Sequence, residues 1–459
     1  MKHTHKILPT LLGLSAFTIQ SQTKEPKETR PNIIFILADD MGYGDLSCYG
    51  NKIIKTPNID KLADEGVRFT QAYAGSAVSS PSRCSLLTGK HTGHATIRDN
   101  FAKQGGFTGL KNGNTIRRAN ILPEDTTIAT ILSAAGYKTC LINKWHLDGF
   151  NPEATPLNRG FNEFYGWLVN NDASNLPYYY PALRYYNKEL KEITENKNNT
   201  RGIHDSDLSV KEAVDFIDRN KKNPFFLYLA FDVPHEPYVI NDVEPYKSMN
   251  LSETAKLYAA LITHTDKAIG RLIEYLDKNN LRENTLIIFT SDNGAATMSP
   301  IDELNCNAGL KGHKTQLYEG GIKEPFIVNF PKKIKAHQIK NNLIYFPDMM
   351  PTLAQYAHAK LPQNIDGINI KPLLEGKKQN TDNRILYWEF PGTQVALRKG
   401  KWKAVSVKKG AKLELYNISV DPYEKNNLAE KYPKILKDFE NEINKQHAPS
   451  IYWPIDGEK

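Results

Sequence analysis

Cysteine is scarce: 459 residues contain four, Cys48, Cys84, Cys140 and Cys306, and no two form a C-x-x-C pair. A zinc ribbon or thioredoxin-like redox motif is therefore excluded, while disulfide pairing is left open by spacing alone. Cys140 falls in an apolar strand-like run, and Cys84 has no base beside it, so both read as small buried hydrophobes. Dense basic blocks with interleaved aromatics are missing, which argues against a nucleic-acid partner. Internal repeats and low-complexity tracts are missing too, as is any uninterrupted apolar run of about 20 residues, the length that spans a bilayer.

What is present fits a soluble globular protein: 40% of residues are apolar and 24% charged. The formal net charge of +8 suits an anionic substrate, although most of it reads as Lys-rich solvated faces. Lys2 and Lys6 precede a short apolar segment, Ile7 to Ile19, followed by polar Gln20-Ser21-Gln22. That order predicts a secretory signal peptide over residues 1–22. No cysteine follows it to accept a lipid. The expected location is periplasmic or secreted, with no membrane insertion after cleavage.

Asn32 to Leu37 is an unbroken apolar run ending in Ala38-Asp39-Asp40, as expected of a strand buried on both faces. Lys138 to Asn143, Pro224 to Phe231 and Thr285 to Ser291 read the same way. Helical patterns begin at Thr56-Pro57, with Thr as N-cap and Pro in the first turn. Others run near Thr127 to Ala135, Leu208 to Arg219 and Ser252 to Asp277. The alternation predicts an α/β fold. From about Arg384, short strands punctuated by Gly392, Gly400 and Gly410 precede a helix from about Pro433 to Lys445. They predict a smaller C-terminal antiparallel α+β subdomain, with boundaries at 30–378 and 379–459. An insertion from Phe150 to about Arg201, rich in Asn, Pro and Tyr, reads equally as a cover over a site and as a packing layer.

Each candidate strand ends in residues that bind anions or cations. The first delivers Asp39 and Asp40, the second Lys144 and His146, the third His235 and the fourth Asp292 and Asn293. Ligands of open α/β sheets bind beyond the carboxyl ends of the strands. Asp39, Asp40, Asp292 and Asn293 offer oxygen only, which favours calcium, or magnesium, over zinc. Ser79 lies just before a helix expected to start with Ser80 as N-cap and Pro81 in the first turn. Backbone N–H groups there favour an anion, and Arg83, one turn on, can reach back to residue 79.

The run Ser79-Ser80-Pro81-Ser82-Arg83, continuing to Leu87-Thr88-Gly89, resembles the signature of the formylglycine-dependent (type I, Ser-type) sulfatases. Asp39-Asp40 with Gly42-Tyr43-Gly44-Asp45, Lys144-Trp145-His146-Leu147, Val233-Pro234-His235, Ser291-Asp292-Asn293-Gly294, and Lys314 with Tyr318-Glu319-Gly320-Gly321 resemble further elements of that family. The resemblance covers most of the mature chain and implies a large mixed, mostly parallel sheet flanked by helices, as in alkaline phosphatase. It implies that Ser79 is oxidised to formylglycine (3-oxoalanine) by an anaerobic-type sulfatase-maturing enzyme before export. The aldehyde hydrate, held by Arg83 and a metal on Asp39, Asp40, Ser79, Asp292 and Asn293, would attack sulfur, with Asp292 as base. Lys144, Lys314 and the metal would neutralise the sulfuryl oxygens. His235 with Lys314 would protonate the leaving oxygen, and His146 would support the second hydroxyl when sulfate is expelled. Three positions depart from the family pattern: Asn143 and Asp148 stand where Gly is usual, and Lys323 where Arg is usual.

An exported enzyme with an aromatic insertion is expected to desulfate carbohydrate, acting on the chain ends of sulfated oligosaccharides derived from polysaccharide, algal ones first. Arg98, Asn100, Trp167, Asn170 and Asp172 are the expected sugar contacts. Two alternatives are a phosphodiester or phosphonate monoester hydrolase of the same superfamily and an exported glycan-binding protein without activity.

Overall fold

The first apolar run forms the Asn32–Ala38 strand at the centre of the molecule, and all seven of its residues are buried. Strand alternation sends Ile33, Phe35 and Leu37 into one apolar cluster and Ile34, Ile36 and Ala38 into the other. The computed structural model describes Met1 and residues 30–111, 113–169 and 178–455. The rest of the expected signal peptide, Asn170 and Asp172 lie outside the described residues.

Parallel neighbours Phe225–Ala230 and Thr285–Ser291 flank that strand, and Lys138–Lys144 lies beyond the first of them. These four form the middle of a ten-stranded sheet whose outer members are partly antiparallel. Helices cover both faces. Glu253–Lys278 starts where Ser252 Oγ accepts from Ala255 N, a side-chain cap. Pro57–Asp64 starts as expected at Thr56, but the Thr56 hydroxyl donates to Asp60 instead of capping the backbone. All four cysteines are free thiols, and no described helix is long and apolar enough to cross a membrane.

The C-terminal strands Ile385–Phe390, Gln394–Lys399, Trp402–Ser406 and Glu414–Asn417 form one antiparallel meander. Leu386, Trp388 and Phe390 face the larger unit, packing with Tyr73 and Ile322. Tyr387 and Leu397 face the Pro433–Gln446 helix and its Phe439. Lys403, fully buried, joins the two units by ion pairs to Glu319 (3.0 Å) and Glu424 (2.9 Å).

Candidate active site

Register brings the polar strand ends together. Ala38 pairs with Ser291 and Leu37 with Ala230, which in turn faces Asn143. The residues just past these strands therefore emerge side by side at one edge of the sheet. Pairing continues one step further, with Asp39 N donating to Val233 O (3.0 Å) and Asp292 N to Ala38 O (3.1 Å). Asp40 then turns at φ 64°, and its amide donates to Asp292 Oδ1 (3.2 Å).

Ser79 is the first residue of the Ser79–Thr88 helix, and extended Val78 precedes it as N-cap. The helix thus starts two residues earlier than its Ser-Pro pair suggests. Ser80 is not its cap: the Ser80 hydroxyl donates to His146 O (3.0 Å), and its amide donates to Asn100 Oδ1 (3.0 Å). Ser79 Oγ donates to Asp39 Oδ1 at 3.1 Å and lies 3.5 Å from Asn293 Oδ1. Arg83, fully buried, gives Nε and Nη2 to Asp292 Oδ2 (3.0 and 2.8 Å), so it acts on residue 79 through the carboxylates.

The cations converge from three elements. Lys144 Nζ pairs with Asp39 Oδ2, and Lys314 Nζ lies 2.6 Å from Asp40 Oδ2. Lys314 is carried by a loop whose backbone is tied to Ala295 O and Ala77 O. His235 donates from Nδ1 to Glu236 O (2.6 Å), which turns Nε2 towards Asp40 Oδ2 at 3.7 Å. His146 is half-buried and accepts at Nε2 from Arg118 Nη1 (2.8 Å). Burial, then the charges of Lys144, Arg118 and Arg83, hold its pKa well below the usual imidazole value, so it is neutral.

Burial alone would raise Asp39, but Lys144, His235, Arg83 and Lys314 outweigh it and keep the carboxyl well below its usual range. Asp292 goes the other way, pushed up to about 6 by burial and by the charge of Asp39. Three buried carboxylates thus crowd around one amide, Asn293, whose Nδ2 donates to Asp40 Oδ1 (2.7 Å). Like charges packed in a dry site with only oxygen donors fit a hard divalent cation. Asp39, Asp40, Asp292 and Asn293 are the residues that would hold it.

These groups sit at the floor of a 310 Å³ pocket. A larger cavity, 430 Å³, lies against Tyr387, Glu389 and His447 of the C-terminal subdomain and contains none of the reacting side chains.

The sulfatase family's sequence profile matches residues 31–359, and a profile described as N-sulphoglucosamine sulphohydrolase, C-terminal, matches residues 312–449. The chain belongs to the sulfatase family. An N-acetylgalactosamine-6-O-sulfatase of Bacteroides thetaiotaomicron is 30% identical, with 96% of this chain and 98% of that protein covered. The human N-acetylgalactosamine-6-sulfatase is 32% identical over 82% of this chain and 71% of its own. Among solved structures, Ps i-CgsB in complex with k-i-k-neocarrahexaose superposes with a TM-score of 0.78 at 30% identity, covering 93% of this chain and 96% of that one. This sulfatase is accordingly a sulfuric ester hydrolase.

Of the expected sugar contacts, Asn100 and Trp167 line the sulfatase pocket. Trp167 is 5% exposed, donates from its indole to Asp232 (3.0 Å) and has Lys144 Nζ 5.6 Å from its ring. Arg98 does not reach the pocket: it is buried in an ion pair with Glu389 (2.8 Å) and donates to Ala448 O, tying the two units together. The Tyr-rich insertion does both of the things expected of it. Tyr178 lines the pocket beside His235, and Tyr179 packs behind, donating to His235 O (2.5 Å). Missed altogether were Phe101, Lys111, Arg118 and Phe150 on the pocket wall. Asn112-Gly113, between two short β-prone runs, is the hairpin signal that could have found two of them.

Proposed function

We propose that this sulfatase removes sulfate from the ends of sulfated saccharide chains after export, using a formylglycine made from Ser79 and a calcium or magnesium ion. The reading rests most on one observation: Ser79 Oγ sits against Asp39 and Asn293, inside an oxygen-donor cluster rimmed by Lys144, Lys314 and His235. Oxidised Ser79 supplies the oxygen nucleophile towards sulfur, and the cation on Asp39, Asp40, Asp292 and Asn293 supplies charge neutralisation. Arg83 holds Asp292 with two hydrogen bonds, fixing that carboxylate of the cluster in charge and direction. Lys144 and Lys314 line the same pocket from different elements, placed to hold sulfuryl oxygens as charge builds on them. With Nδ1 committed to Glu236 O, His235 presents Nε2 for the proton that goes to the leaving oxygen. His146 Nε2 would take a proton from the second hydroxyl when sulfate departs, once Arg118 releases that nitrogen.

The saccharide assignment is supported by the relatives named as N-acetylgalactosamine-6-sulfatases and by the neighbour solved with a neocarrahexaose. Red-algal galactan fragments and N-acetylgalactosamine 6-sulfate are the first substrates to test. A Ser at position 79 requires an anaerobic-type maturing enzyme in the producing cell, and the basic-apolar-polar start of the chain supports a periplasmic or secreted location. The decisive experiment is peptide mass spectrometry of the protein made with such a maturase, where residue 79 is expected about two daltons lighter than serine. Sulfate release from the oligosaccharide panel should depend on that conversion and disappear in Ser79→Ala. Full activity with unconverted Ser79, or phosphate released faster than sulfate from matched aryl esters, would overturn the proposal.

A further inference from the structure

One wall of the pocket touches the chemistry above only through Arg118. It is the hairpin of Phe107–Lys111 and Asn114–Arg118, paired Phe107 with Arg118, Gly109 with Ile116 and Lys111 with Asn114. Alternation along the strands therefore puts Lys111, Gly109, Ile116 and Arg118 on one face. That face is pressed onto the pocket rim. A Cβ on Gly109 would come 2.6 Å from the Phe150 ring, and the Arg118 guanidinium lies 5.2 Å from the Phe101 ring and 5.7 Å from that of Phe150. Lys111 Nζ is held 5.5 Å from the Phe101 ring, facing the same cavity as Ser79.

The other cations of this cavity are each engaged: Lys144 with Asp39, Lys314 with Asp40, Arg118 with His146. Among the described residues, Lys111 forms no ion pair and Glu236 is the only carboxylate on the lining. Burial, then the charges of Arg118, Lys314 and Lys144, lower its pKa. Lys111 is exposed at the rim of the cavity, and an anion joining it there relieves the repulsion from three like charges. One sulfate ester is already met by Lys144, Lys314 and the proposed cation at the pocket floor, so Lys111 is in excess for a monoanionic substrate.

We propose that Lys111 is a second anion subsite, selecting saccharides that carry another anionic oxygen group beside the ester being cleaved. The group is a second sulfate or a uronate carboxylate, and the hairpin is the element that reads it. This rests on the saccharide desulfation proposed above. The test uses the full-length, formylglycine-bearing protein and three oligosaccharides that share one scissile ester. One has no other charge, one a neighbouring sulfate and one a neighbouring uronate. Wild type should prefer a dianionic substrate by kcat/KM, and Lys111→Ala should cut that preference by about tenfold, mainly through KM. Lys111→Arg should restore most of it, which separates lost charge from a disturbed hairpin. The dianion whose advantage collapses identifies the source of the second charge. A Lys111→Ala variant that loses the same factor on all three substrates, or keeps the preference intact, overturns the proposal. Failure of wild type on every ester, a simple aryl sulfate included, would instead overturn the function on which it rests.

Discussion

At the scale of single residues the site separates its two histidines by what their second nitrogen does. His235 has Nδ1 fixed on a backbone carbonyl and Nε2 towards the acidic cluster. His146 is half-buried, and Arg118 occupies its Nε2. If His235 delivers the proton to the leaving oxygen, His235→Ala should lower kcat/KM for a sugar sulfate by about 10²–10⁴. A nitrophenyl sulfate, whose leaving group needs no proton, should suffer far less, and equal losses on both would remove His235 from that role. Burial is the first cause of the low pKa of His146 and the charges of Lys144 and Arg118 follow. Removing a cation makes the protonated ring less unfavourable, so in Arg118→Gln its pKa rises back towards the usual value. Activity that needs the neutral ring should then fail at a higher pH on the acid side, seen as an upward shift of the acid limb of the kcat/KM profile. An unmoved limb would show that His146 does not titrate in the reaction.

That Ser79, both lysines and the aspartate-bearing turns belong to one cluster was legible because each lies in a short local pattern. Their mutual distances were not. The family departures show what local reading omits: Asn143, standing where Gly is usual, keeps a positive φ of 77°, a conformation Asn tolerates better than most residues. Lys323, standing for Arg, is buried 4.0 Å from Glu319 with its Nζ 5.0 Å from the Tyr43 ring, and so serves packing near the second lysine loop.

At the scale of elements, four parallel strands were readable from apolar runs, since a strand buried on both faces has no polar alternation to hide it. Loops were harder, because their shape is set by contacts with other loops. The Asp292-Asn293-Gly294 turn and the Lys314 loop illustrate this. Gly294 N donates to Gly321 O (3.2 Å), and a Cβ on Gly294 would lie 1.9 Å from Gly320 O. Two backbones in contact cannot make room by rotating a side chain. Gly294→Ala is therefore expected to cost about 1–3 kcal/mol of stability and to separate the metal-side turn from the loop that carries Lys314. Thermal unfolding and kcat should fall together, with cation affinity measured directly by calorimetry also reduced. A variant with wild-type Tm and turnover would show that the loops are not locked to one another here.

At the scale of the whole molecule, the reacting groups come from the first unit, yet the pocket wall depends on the end of the chain. Arg98, expected at the sugar, instead pairs with Glu389, and nothing near Arg98 in sequence signals a partner 291 residues away. Past the terminal helix the chain returns to the large unit: Ala448 N donates to Gly93 O and Lys103 N to Tyr452 O. Trp453, 1% exposed, packs in the core with Ile97 and Leu147, and its indole donates to Phe101 O (2.8 Å). Phe101 is the ring beneath Lys111 and Arg118. Trp453→Ala removes a buried indole and its hydrogen bond, so a loss of about 3–5 kcal/mol is expected. Because Phe101 backs the hairpin, turnover of an oligosaccharide should drop more than turnover of a small aryl sulfate, measured well below the lowered Tm. Trp453→Phe should recover part of the stability without the indole donor, which separates packing from the hydrogen bond. If both variants lost the two activities in equal proportion, the tail would be a clasp for the fold alone and the pocket wall would be independent of it.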